Sequence, residues 1–267
     1  MTPALEPAQN IRVIREPTVY LVGRQTVAEA ELDRFLADHG VAWETDTEVA
    51  GEHLTEVAGR VCYMSFAKPR PGGNQAYLKH ILEVGHGSVL EHAVWNFLFT
   101  GVSRSLTHEL IRHRAGFGYS QLSQRYVDES VAEYVEPDEI AADEELHRLW
   151  LESVAQSHQA YLQLAAKLQE RLKAEPDRTL RRKLARQAAR SVLPNATETK
   201  IFVTANSRAL RHFIELRGSR HAEVEIRKLA VQVLQLMQKE APHIFSDYQL
   251  VPLPDGTLEA VTEHRKV

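Results

Sequence analysis

Between residues 143 and 175 the chain runs amphipathically without a proline or glycine, until Pro176 stops it. A helix of that length must lay its apolar stripe on a second surface, so the chain has to fold as a helix-rich body. Asp177 is placed to cap the next helix, RTLRRKLARQAARSVL, which stops before Pro194. Four more helices are predicted in EAELDRFLADHG (29–40), LTEVAGRVCYMSF (54–66), NQAYLKHILEVGHG (74–87) and SRSLTHELIRHR (103–114). Asn206 or Ser207 caps another that closes at Gly218, and a last one covers about 221–239. Strands are predicted in TVYLVG (18–23), AVWNFLFTG (93–101) and ETKIFVTAN (198–206). No repeat, linker or shift of composition divides the chain. The expected architecture is α+β: one helix-rich domain over residues 18–250 packed on a small sheet, with an N-terminal arm (1–17) and a C-terminal tail (251–267).

The composition bounds the function. With 43% hydrophobic and 25% charged residues among 267, the chain can build a core unaided. Cys62 has no partner for a disulfide, which fits a reducing compartment. The longest apolar run, around AVWNFLF, is far short of the ~20 residues a membrane span needs, and the N-terminus has no apolar signal-peptide core. The expectation is a cytoplasmic protein with no membrane partner. Net charge is −4, so an anion site must be a local gathering of arginines rather than a property of the whole surface.

One such gathering is RHRAGFGYSQLSQRY (112–126), dense in donors and free of carboxylates. Several chemistries compete for it and its surroundings. HELIRH (108–113) nearly spells a zinc-protease motif, but His108 and His113 stand at i, i+5, about 140° apart on a helix, and the i+4 position is Arg112. HGSVLEH (86–92) also lacks one-face ligand spacing, so no metal is expected. The fragments VGHGS and AGFGYS lack the third glycine of a dinucleotide loop. On a helix over 103–114, Ser105, Glu109 and Arg112 would share a face within about 60°. That face reads either as a ligand surface or as a solvated ion pair. Arg178, Arg182, Arg186 and Arg190 make a basic ridge, read as a solvent face or a nucleic-acid footprint. On 206–217, Arg208 and His212 share a face, and Arg217 sits at the helix end, where it can simply balance the dipole.

Together these segments resemble the flavin-dependent thymidylate synthases. The signature is Arg112-His113-Arg114, eight residues, then Ser123, followed by Gln-Arg-Tyr. HGSVLEH (86–92), HELIRHR (108–114), ARSVLPNATET (189–199) and NSRALRHFIELRGSRHAEVEI (206–226) accompany it in the family's order, so the likeness covers roughly residues 50 to 250. Two departures stand out: AGFG (115–118) replaces a shorter segment carrying a hydroxyl, and Gln121 stands where many members have glutamate. The resemblance implies the family's fold, with a mostly antiparallel sheet, and usually a homotetramer with sites at subunit junctions. It implies reductive methylation of dUMP to dTMP, with methylenetetrahydrofolate giving the carbon and FAD, reduced by NADPH, giving the hydride. By position, Ser88, Arg112, His113, Arg114, Gln121, Asn206, Ser207, Arg208 and His212 are expected to hold FAD. Glu109, Leu110, Ile111, Arg112, Gln121, Leu122, Ser123, Gln124, Arg125, Arg190 and Arg217 are expected at dUMP.

All these ligands carry phosphate or carboxylate, which suits the planar, permanently charged arginine fork. For catalysis, C5 of uracil must become nucleophilic, and a cation beside N3 or O2 favours the ring anion. The resemblance puts Arg217 there. Cys62 lies among apolar residues with no basic neighbour in sequence and is not expected to be a nucleophile. Ser123 has no adjacent base and is expected to position the pyrimidine. The competing reading is a nucleic-acid-binding protein using the 178–190 ridge.

Overall fold

The computed structural model describes residues 11–67, 71–131 and 133–265, so most of the expected arm lies outside the described residues. The strands are β1 (Arg12–Ile14), β2 (Thr18–Arg24), β3 (Val94–Ser103), β4 (Phe117–Gln121), β5 (Glu133–Val135), β6 (Glu198–Asn206), β7 (Gln249–Pro252) and β8 (Leu258–Val261). The helices are α1 (Glu29–Asp38), α2 (Ala50–Tyr63), α3 (Gly73–Glu83), α4 (Arg104–Leu110), α5 (Asp138–Ala141), α6 (Glu144–Arg171), α7 (Arg178–Ala189), α8 (Ser207–Arg217), α9 (Val224–Glu240) and α10 (Pro242–Phe245). Short 3-10 turns cover Gly87–His92 and Arg190–Val192. Four strands form one sheet in the order β2-β3-β6-β4, β1 pairs with β5 in parallel, and β7 pairs with β8 antiparallel. This is the helix-rich α+β architecture the sequence predicts.

The chain divides into two compact units whose boundaries fall inside β2, β3, β4 and β6 and at the end of α4. The first unit holds the chain up to Thr18, Phe99–Leu110 and Ser120–Ile201. Its frame is the α6–α7 hairpin. Asp143 caps α6 by accepting from the amides of Glu145 and Leu146, and Asp177 caps α7 through those of Thr179 and Leu180. Tyr134 and Val154 are buried against Ile11, Trp150 and Ala196. The β1–β5 pair is fastened by Glu136, a buried carboxylate that accepts from Arg15 Nε at 3.0 Å and meets the His147 ring.

The second unit holds Val19–Leu98, Ile111–Tyr119 and the chain from Phe202 on. Within β3, Trp95 and Phe97 are buried and alternate with half-buried residues, as a period of two demands. Leu210, Phe213 and Ile214 of α8 and Leu229, Val233 and Leu234 of α9 supply the helical part of the core. Arg211 is buried too, and Asp247 takes its two terminal nitrogens at 2.7 and 2.8 Å.

Several helices end a few residues earlier than the apolar pattern implies, α3 and α4 among them. Gly85, at φ +70°, stops α3, so HGSVLEH becomes a 3-10 turn. The helix expected over 103–114 ends at Leu110. Ile111 and Arg112 form a turn, His113 is buried, and Gly116 at φ +74° turns the chain into β4. Arg112 therefore shares no helical face with Ser105 and Glu109, and the ligand surface argued from that face does not exist. No helix among the described residues is long and apolar enough to cross a membrane.

Candidate active site

The functional side chains gather in two clusters, one in each unit. In the first unit, α4 starts at Arg104, whose amide donates to the Thr197 carbonyl at 3.0 Å, while the Ser105 amide donates to Asn195 at 3.1 Å. Helix α7 closes into the 3-10 turn beginning at Arg190, and Pro194 prevents its continuation. Arg104, Arg190, Gln124, Ser191 and Asn195 line a cavity of ≈ 400 Å³. Neither guanidinium is hydrogen-bonded to a carboxylate among the described residues. Gln124 is 4% exposed, and its buried Nε2 has no partner. Burial lowers the Arg104 pKa first and the like charge of Arg190 lowers it further, with Glu129 opposing. Two cations without a hydrogen-bonded carboxylate among the described residues and an orphaned amide donor on one cavity make an anion site.

The adjoining turn carries the rest of this cluster. The Leu122 amide donates to Lys200 at 2.9 Å, and Ser123 accepts from the amides of Tyr126 and Val127 through its carbonyl. Ser123 Oγ takes the Arg125 amide at 3.4 Å, and Arg125 Nε is buried without a partner. Gln121 Nε2 is engaged by the hydroxyls of Thr107 and Thr199, which makes it a brace for the sheet. Leu110 is fully buried, so its side chain belongs to the core; Glu109 is half-buried in the last turn of α4.

The second cluster is built on the Arg-His-Arg turn. His113 is 8% exposed, and its Nε2 accepts from Arg217 Nε at 3.1 Å. Burial, then Arg217, then His212 push its pKa down to about 4, so the imidazole is neutral at pH 7 and carries its proton on Nδ1. Phe213 lies edge-on at 5.3 Å, and Tyr119 donates to the His113 carbonyl at 2.7 Å. With the middle residue locked, the flanking Arg112 and Arg114 are exposed.

Helix α8 ties the remaining segments to this turn. The Asn206 side chain caps it by accepting from Ala209, while the Asn206 amide donates to Gly116 at 3.1 Å. A Cβ on Gly116 would lie 2.7 Å from Asn206 and 2.8 Å from Ala209, so AGFG can pack on the helix start only with glycine there. Ser207 is buried with its hydroxyl on the Leu90 carbonyl, and Arg208 pairs with Glu91. Both contacts fasten the 3-10 turn that presents Ser88, which is exposed, as is His212. Exposed guanidiniums, a hydroxyl and an imidazole on one unit form a donor set that suits a flavin dinucleotide with its diphosphate. Ser207 and Asn206 serve it as scaffold through their own hydrogen bonds.

Cys62 sits exposed on α2, its thiol on the Ala58 carbonyl at 3.3 Å. The 178–190 ridge is not a uniform surface: Arg186 donates to the Tyr126 carbonyl at 2.8 Å and pairs with Asp128, while Arg190 faces the cavity. The nucleic-acid reading has no support here. Sequence reasoning missed Arg104. A cation in the first turn of a helix opposes the dipole, and that anomaly was the available signal.

Comparison with known proteins agrees with this geometry. Residues 46–243 match the family described as thymidylate synthase complementing protein. A flavin-dependent thymidylate synthase of Mycobacterium sp. (strain JLS) is 53% identical over 244 residues, covering 89% of this chain and 94% of that protein. Its counterpart in Mycolicibacterium vanbaalenii is 52% identical over 235 residues, covering 87% and 92%. In structure, a UMP/dUMP methylase, PolB, from Streptomyces cacaoi bound with 5-Br UMP superposes with a TM-score of 0.62 at 23% identity, over 89% of this chain and 95% of that one; the likeness is one of fold. The chain belongs to the flavin-dependent thymidylate synthase family.

Proposed function

We infer that this protein converts dUMP to dTMP by reductive methylation. The observation that carries this reading is the cavity where Arg104 and Arg190, with no hydrogen-bonded carboxylate among the described residues, stand beside the orphaned Gln124 amide. A phosphate monoester dianion is the ligand that such a pair of guanidinium forks takes. Gln124, Arg125 and Ser123 then address the sugar and base, with Glu109, Ile111, Leu122 and Arg112 around them. The Leu110 contribution is limited to its backbone. Arg217 favours the N3-deprotonated pyrimidine and so makes C5 nucleophilic. It is held for that by His113, which accepts from its Nε.

Arg112, Arg114, Arg208, His212 and Ser88 hold FAD, with Gln121, Asn206 and Ser207 bracing the segments around them. Bound and reduced, FAD supplies the hydride that completes the methyl group. The reading assigns the carbon to methylenetetrahydrofolate and the reduction of FAD to NADPH. The assembly proposed is a homotetramer with its sites at subunit junctions. Tyr20 and Val22 on β2 and Phe202 on β6, 49%, 52% and 39% exposed, supply apolar surface for self-association. A cytoplasmic setting suits the free Cys62.

The test is direct. Purified protein should be yellow, be bleached by NADPH in the presence of dUMP, and form dTMP when methylenetetrahydrofolate is added. A colourless protein that takes up no FAD contradicts the reading. Cys62→Ala should keep full dTMP formation; its loss with normal flavin and dUMP binding would make the thiol a nucleophile.

A further inference from the structure

Glu129 lies in the same unit as the Arg104–Arg190 cavity and has no role in the chemistry above. It is 7% exposed, and its buried Oε1 has no hydrogen-bond partner. The charges of Glu198 and Lys200 on β6, Arg104 on α4 and Asp128 on its own turn act on it. Tyr134 of β5 and Tyr161 of α6 feel its charge. The neighbouring carboxylate is already committed, since Glu198 accepts from the Gly101 amide at 2.9 Å and from Lys200 at 3.1 Å. Glu129 thus offsets the charge of Arg104 without a hydrogen bond to its guanidinium among the described residues.

We propose that Glu129 is a positioning residue that makes dUMP binding proton-linked: ionised beside Arg104 in the free protein, it takes up a proton when a phosphate monoester enters the cavity. This rests on the reading that the cavity holds the dUMP phosphate. A dianion added next to Arg104 and Arg190 turns a balanced set of charges into one with excess negative charge, and the carboxylate lacking a hydrogen bond is the one that yields. Burial, then Glu198, already raises its pKa, with Arg104 opposing. The sign follows: affinity is greatest where Glu129 is protonated in both states and falls as pH rises through its two pKa values. A one-unit difference between free and bound pKa corresponds to about tenfold in affinity. Glu129→Gln fixes the protonated form.

The experiment is calorimetric titration of the FAD-loaded protein with dUMP from pH 5.5 to 8.5, in two buffers of different ionisation enthalpy at each pH. Wild type should bind more weakly as pH rises and show proton uptake. Glu129→Gln should bind at least as tightly at pH 8.5, with a flatter profile and the extra uptake gone. A variant that parallels wild type, or binds more weakly at every pH, overturns the proposal. So does a wild-type protein that takes up no proton, a result that needs no variant. Arg104→Ala separates the layers: undiminished dUMP affinity there overturns the cavity reading and this proposal together, while lost affinity with an unaltered Glu129→Gln profile overturns the proposal alone.

Discussion

Two arginines, one in each unit, behave in opposite ways. Arg211, in the second unit, is 1% exposed, yet Asp247, the Ile244 carbonyl at 2.7 Å and the Tyr248 ring at 4.8 Å surround it. Burial works against its charge, but Asp247 and its neighbours outweigh that, and its pKa ends raised. Arg104, in the first unit, is only half-buried, yet its pKa is lowered by burial and by Arg190. The comparison teaches how to sort arginines: one whose charge is answered within the fold is scaffold, and one left facing another cation is waiting for an anion.

Removing each in turn sharpens the contrast. Arg211→Ala should cost the most stability, about 3–5 kcal/mol, because the part-buried Asp247 loses its cation and keeps only the Thr262 hydroxyl among the described residues. A denaturant midpoint shift checks this, and dUMP affinity of the protein that remains folded should be unchanged. Arg104→Ala or Arg190→Ala should instead leave stability level or slightly higher while weakening dUMP by about 2–4 kcal/mol. A large loss of stability in either would make them scaffold after all.

Gly116→Ala comes next. The residue sits at φ +74° with Asn206 and Ala209 against the missing Cβ, so the change should cost about 1–3 kcal/mol. Flavin content should fall with it, since AGFG and α8 share that contact; a variant with normal flavin content and melting point would show that the loop tolerates a side chain.

The smallest effect is acid sensitivity. His113 has a folded pKa of about 4, below its unfolded value of 6.5, so the unfolded chain binds more protons between them. Stability is full above pH 6.5 and is lost progressively as pH falls towards 4. His113→Gln should flatten that slope in thermal unfolding followed across pH 4–7; an unchanged slope would assign it to other groups.

What could be read from the sequence was local. Asp177 after Pro176, Asn206 before the α8 stripe, and the alternation of Trp95 and Phe97 each carry their own signal within a few residues. The Arg-His-Arg signature carried the family. What escaped was set by contacts far along the chain. Arg112 left the expected helix because His113 buries against Arg217, 104 positions away. β1 and β5 are three residues each and exist through pairing, with Glu136 taking Arg15 across 121 positions. The 251–261 stretch, read as tail, contains most of the β7–β8 hairpin for the same reason. Arg104 looks like any surface arginine until Arg190 appears beside it.

The central claim is that Arg104 and Arg190 hold the phosphate of dUMP. The decisive measurement is the affinity of the FAD-loaded protein for dUMP against deoxyuridine, in wild type and in the Arg104→Ala/Arg190→Ala double variant. Wild type should prefer the phosphorylated ligand by about a hundredfold or more, and the double variant, with its flavin spectrum intact, should bind both alike. Discrimination that survives in the double variant would place the phosphate elsewhere and contradict the account.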